Sequence, residues 1–171
     1  YDPLFRQPSG QLYMGKAGYG KPEGTHIHAS LLRYIADSSS LSSPIAPWVY
    51  GLEGQLFLAR KKWRIQGEWA QTASPGLETA WKIETDGALF EGRSRFHAHY
   101  EQVMPGYYSP GAPLLLADQE RAELRLDQQL LKGSLILSAY YRQFQDLPFL
   151  YKTSQSTVQT AGVRLKLTSA K

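Results

Sequence analysis

The stretch Arg121-Ala122-Glu123-Leu124-Arg125-Leu126-Asp127 alternates charged with small or apolar side chains at every step. A period of two means an extended strand whose successive side chains point to opposite faces. The rhythm returns in Ala161-Gly162-Val163-Arg164-Leu165-Lys166-Leu167 and, less strictly, through most of the chain. One face of each such strand is charged and the other apolar, often aromatic. Strands of this kind, joined alternately by short turns and long loops, are the pattern of a transmembrane β-barrel.

Composition narrows the class. The 171 residues suffice for one domain and are few for two, so residues 1–171 read as a single unit. With no cysteine, neither a disulfide scaffold nor a thiolate metal site is possible. The net charge of +4 comes from Lys and Arg interleaved with acids along the strands, not gathered into one stripe, so nucleic acid is not an expected partner. No run of about 18 apolar residues exists, which excludes a helical membrane span. The mean hydropathy of -0.40 resembles that of a soluble protein, but barrels give weak hydropathy signals because only alternate residues meet lipid. The chain opens at Tyr1 without a leader or initiator Met, as expected of a processed or partial product.

Turn signals divide the chain into nine expected strands at 11–20, 25–36, 48–59, 63–73, 78–88, 93–103, 118–130, 133–146 and 156–168. Tight connections are expected at Lys21-Pro22-Glu23-Gly24, Arg60-Lys61-Lys62, Phe90-Glu91-Gly92 and Leu131-Lys132. The others, Asp37 to Pro47, Thr72 to Leu77, Met104 to Ala117 and Asp146 to Gln155, are longer and richer in Pro, Gly and Ser. In outer-membrane barrels short turns are periplasmic and long loops external. Residues 1–10 then form the tail of an external loop and 104–117 a long external loop. The odd-numbered strands run toward the periplasm. Bacterial single-chain barrels have even strand counts, so the expected fold is all-β: an antiparallel up-and-down transmembrane β-barrel segment that is part of a larger barrel. Other protein chains, or a missing N-terminal segment, would complete the wall.

The phase of the alternation assigns the faces. Trp48, Tyr50, Trp63, Trp69, Trp81, Tyr100 and Tyr141 fall on the lipid side with the aliphatic residues, as rings that settle at headgroup level. Arg64, Glu68, Lys82, Glu84, Arg93, Arg95, His97, His99, Glu101, Arg121, Glu123, Arg125, Asp127, Arg142 and Arg164 fall on the lumen side. There both signs are mixed and cross-strand ion pairs can form.

A soluble sandwich or a lipocalin-like barrel would show the same alternation with the apolar face inside, around a small apolar ligand held by Trp63, Trp69 and Trp81. Strand lengths near ten residues, the short-long rhythm and an apolar face bearing several Trp favour the membrane version. Arg33, in the apolar phase of its strand, counts against it.

The segment Tyr100-Glu101-Gln102-Val103-Met104-Pro105-Gly106-Tyr107-Tyr108-Ser109-Pro110-Gly111, then Asp118 and a charged strand, then Tyr140-Tyr141-Arg142-Gln143-Phe144-Gln145-Asp146-Leu147, resembles large outer-membrane β-barrel proteins of Bacteroidota-type bacteria. Gly67-Glu68-Trp69-Ala70-Gln71-Thr72-Ala73-Ser74 and the region from Gly18-Tyr19-Gly20 to Ala36-Asp37 are similar to the same proteins. The resemblance implies a barrel in the outer membrane, often within a longer polypeptide, at times associated with secretion or surface assembly, with no defined catalytic residues. The ending Thr168-Ser169-Ala170-Lys171 departs from it in lacking a C-terminal aromatic.

Site chemistry is sparse, and no enzyme activity or cofactor is expected. His26 with His28, and His97 with His99, are His-x-His pairs that share a strand face and could supply half a zinc or copper site. No third ligand is forced close by sequence, so hydrogen bonding to carboxylates is the simpler expectation. Ser94 and His97 fall on opposite faces, which disfavours a nucleophile and base pair. Glu84, Glu101, Glu123 and Asp127 have Arg and Lys neighbours, so ion pairing accounts for them better than glycosidase chemistry. In the 104–117 loop, Tyr107, Tyr108, Leu114, Leu115 and Leu116 offer apolar surface that could plug the lumen, bind a partner or pack on itself.

Overall fold

The structure, a computed structural model, describes residues 10–21, 23–36, 48–73, 78–105, 107, 119–130, 134–146 and 155–167. Period-two alternation produces what it should: β1 (Gly10–Gly20), β2 (His26–Ala36), β3 (Trp48–Leu58), β4 (Trp63–Thr72), β5 (Thr79–Leu89), β6 (Ser94–Val103), β7 (Gln119–Leu130), β8 (Leu135–Asp146) and β9 (Thr157–Leu167). Each matches its expected span to within two residues. All nine lie in one sheet in the order β1 to β9, every neighbouring pair antiparallel. Among the described residues no ladder joins β1 to β9, so the sheet is open.

Register fixes the faces, because residues directly opposite in a ladder share a face. Arg64 pairs with Asp86, Asp86 with His97, His97 with Arg125 and Arg125 with Tyr140. On the other face Trp69 pairs with Trp81, Ile83 with Tyr100 and Leu124 with Tyr141. Arg33 lies on the apolar face, where its guanidinium stacks over the Trp48 ring at 4.8 Å. That contact shields the charge and places it at the strand end next to an aromatic.

In three strands the polar face is the more sheltered one. In β2, β3 and β5 the apolar-face residues are exposed while their polar-face neighbours are largely covered. Ile27 is 54% exposed and Ile83 45%; the side chains of His28 and Glu84 keep 21% and 20%. Among the described residues the buried apolar side chains are Val49, Val103 and Tyr107, none of them on the apolar face of a strand.

The short connections use backbone that the sequence does not advertise. Ala59, Arg60 and Lys61 have φ of 49, 56 and 68°, and Phe90 and Glu91 have 49 and 59°, all in the left-handed region. Non-glycine residues seldom adopt it. Two ladders run past their turns: Ala88 N–H donates to Lys62 O at 3.0 Å and Gln129 N–H to Arg93 O at 2.7 Å. The expected turn at Leu131-Lys132 and the loop from Asp37 to Pro47 lie outside the described residues.

Candidate functional site

The charged face is the candidate site, and cross-strand pairing builds it. Lys16 Nζ donates to Glu53 Oε1 at 2.5 Å, and Lys82 Nζ lies 3.5 Å from Glu68. Arg64 donates to Glu84 at 2.5 Å and also to Asp86, whose other oxygen meets His97 Nδ1 at 2.9 Å. His99 sits between Glu84 at 3.8 Å and Glu101 at 3.5 Å. Glu123 receives Arg121 at 3.3 Å and Arg142 at 3.1 Å, and Arg125 Nε lies 3.0 Å from Asp127. Each pair is partly exposed and contributes modestly; as a network they orient the long side chains along the sheet.

Charge is not evenly compensated. Where β6 to β9 reach their short-turn end, Arg93, Arg95, Arg125, Asp127, Arg164 and Lys166 border a cleft of about 260 Å³. Among the described residues only Arg125 of these five cations has a carboxylate within salt-bridge distance. The remaining four give this end of the face a positive field suited to anions.

At the opposite end a row of small side chains crosses five strands through successive pairs: Ser30, Gly51, Ala70, Ala80 and Val103. Tyr107, just beyond β6, is buried at 8% exposure and borders a cleft of about 300 Å³ together with this row. Its backbone N–H donates to Met104 O at 3.1 Å, closing a turn that aims the ring back over the sheet. Tyr108, Leu114, Leu115 and Leu116 lie outside the described residues.

The expected lumen-side residues Arg64, Glu68, Lys82, Glu84, Arg95, His97, His99, Glu101, Arg121, Glu123, Arg125, Asp127, Arg142 and Arg164 all share the polar face, and Arg93 borders its basic cleft. Trp48, Tyr50, Trp63, Trp69, Trp81, Tyr100 and Tyr141 share the opposite one. There Trp81 packs on Tyr100 with ring centroids 4.6 Å apart and donates from Nε1 to Gln102 at 2.9 Å. Ser94 faces away from His97 and donates to Gln128 Oε1 at 2.5 Å, so the two form no catalytic pair.

Two features extend the sequence reading. Asp86, which continues the Lys82, Glu84 alternation, holds both Arg64 and His97 and belongs with the site. The His-x-His pairs do acquire further donors: Glu53 beside His26 and His28, and Glu84 with Asp86 beside His97. These arrive from neighbouring strands, which no linear spacing discloses. Compared with protein-family models, curated proteins and solved structures, the chain matches none.

Proposed function

We propose that this chain is part of the wall of a transmembrane β-barrel in a Gram-negative outer membrane, with its charged face toward a water-filled lumen and its apolar face in lipid. The observation that carries this reading is the inversion of exposure in β2, β3 and β5, where the polar-face side chains are more sheltered than the apolar-face ones. Fully burying a Leu or Ile side chain contributes about 1.5–3 kcal/mol. For Ile27, Leu31, Leu52, Ile83, Leu124 and Leu126, each roughly half exposed, the unclaimed gain is on the order of 5–10 kcal/mol, comparable to a whole domain's stability. A bilayer supplies that gain.

Dimensions agree. An eleven-residue strand such as β3 spans about 37 Å, and tilted by about 45° it rises about 26 Å, close to the height of a barrel's apolar band. On that face Trp48, Tyr50, Trp69 and Trp81 lie toward the long connections and Trp63 and Phe96 toward the short ones, while Tyr100 and Tyr141 sit opposite Ile83 and Leu124. Ile65, paired with Leu56, lies between Trp63 and Trp69 on β4.

The edges define the missing partner. Lipid cannot satisfy the open edges of β1 and β9. Both strands run the same way, so antiparallel closure requires an odd number of further strands from another part of the polypeptide or from other chains. The assembly acts as a pore or as a scaffold in secretion or surface assembly. As a pore, its basic cleft favours anions. A soluble lipocalin-like barrel would need the tryptophan face inside, which runs against the exposure of Ile27, Leu52 and Ile83. Fractionation tests the reading: recovery with outer membranes, resistance to carbonate and high salt, and release by detergent support it, whereas a soluble monomer contradicts it.

A further inference from the structure

We propose that His26, His28 and Glu53 form a binding site for a divalent transition metal of the Zn²⁺, Ni²⁺ or Cu²⁺ class, with two imidazoles and one carboxylate as ligands. β2 sets the two histidines on the polar face two residues apart, with ring centroids 4.8 Å apart. β3 brings Glu53 opposite His28 and Gln55 opposite His26. One ligand atom from each of the three residues lies within 4.8 Å of the others.

The surroundings orient these ligands. His26 Nδ1 is 2.9 Å from Gly24 O. A carbonyl oxygen only accepts, so Nδ1 carries the proton and the lone pair sits on Nε2, as in metal sites whose imidazoles are held by a backbone carbonyl. Gln55 Nε2 donates to the same oxygen at 3.1 Å, and the Gly24 N–H donates to Lys21 O at 2.9 Å, which fixes the anchor. His28 Nδ1 is buried without a hydrogen-bond partner, although Glu53 Oε1 is only 3.2 Å away. Two ligands on a tetrahedral ion with bonds of about 2.0–2.1 Å stand about 3.3 Å apart, so this spacing suits a shared cation. The His28 ring fits because residue 18, opposite it, is glycine: a Cβ there would stand 1.9 Å from His28 Cδ2.

Lys16 Nζ touches the same Glu53 oxygen at 2.5 Å and neutralises it when no metal is bound. It sits on β1 with 39% of its side chain exposed to solvent. The ammonium therefore competes with the metal. The second cluster, Glu84, Asp86 and His97, lacks this potential because the Arg64 guanidinium already forks onto both carboxylates and only one of its three ligands is an imidazole. Imidazole ligands favour zinc, nickel and copper over magnesium or calcium. The site depends on the pairing of β1, β2 and β3 and on the Gly24 turn, not on the membrane reading.

The test is a Co²⁺ titration of the intact protein, free of any histidine tag and in detergent, followed by the visible absorption of the bound ion, with Zn²⁺ as competitor. One saturable site per chain is expected. His26→Asn and His28→Asn should each weaken it about tenfold or more, Lys16→Met should tighten it several-fold, and His97→Gln should leave it unchanged. The Lys16→Met gain serves as the readout if a histidine variant fails to fold. Absence of saturable binding, or an affinity unchanged in the histidine variants or in Lys16→Met, overturns the proposal.

Discussion

Glu123 and Leu124 are neighbours in β7 with opposite fates: the Glu123 side chain, held by Arg121 and Arg142, is only 13% exposed, whereas Leu124 is 52% exposed. In water this order is unfavourable for both residues; in a bilayer-spanning wall it is favourable for both. Leu124→Arg should cost about 2–4 kcal/mol and Leu130→Arg, at the strand end, about 0–1 kcal/mol, because the penalty depends on depth. Urea unfolding of the protein refolded in lipid vesicles measures both; equal penalties would speak against a membrane face.

The basic cleft sharpens the expectation about selectivity. Arg121 and Arg125 are offset by Glu123 and Asp127, but Arg95 and Arg164 have no carboxylate within salt-bridge distance among the described residues. Charge reversal of Arg95 and Arg164 together should move the reversal potential in a salt gradient from anion toward cation preference, and further than reversal of Arg121 does. Unchanged reversal potentials would sink the selectivity mechanism.

Tyr107 sits over the small-residue row from Ser30 to Val103. Tyr107→Ala should widen the cleft there, and on the pore reading the single-channel conductance of the assembled barrel should rise. A conductance equal to wild type would mean that the ring does not narrow the path.

On the apolar face the Phe96 ring covers Gly87 and meets the Trp63 ring edge-on, with centroids 4.9 Å apart. A Cβ at residue 87 would stand 2.1 Å from Phe96 Cε1. Gly87→Val should therefore destabilise by about 1–3 kcal/mol through forced repacking. Gly15→Val, where a Cβ meets nothing within 4 Å, should be close to neutral. Denaturation midpoints compare the two.

Strand positions and face assignments were legible because alternation is a local property, written in stretches such as Arg121 to Asp127. Pairing is not local. That Glu53 stands beside His28, that Gly18 makes room for the same ring, and that Ser30, Gly51, Ala70 and Ala80 form one row depend on register, which emerges only when strands meet. The left-handed turn at Ala59, Arg60 and Lys61 was equally hidden, since no Gly or Asn marks it. Asp86, by contrast, was readable from the alternation that had already assigned Lys82 and Glu84.

All four tryptophans, Trp48, Trp63, Trp69 and Trp81, lie on the apolar face, so intrinsic fluorescence reports on that face alone. The most direct test is therefore tryptophan quenching of the protein in bilayers, with brominated acyl chains set against iodide in the aqueous phase. Strong quenching by the brominated lipid and weak quenching by iodide are expected if this face meets hydrocarbon. Quenching by iodide, with no effect of the brominated lipid, would contradict the membrane wall.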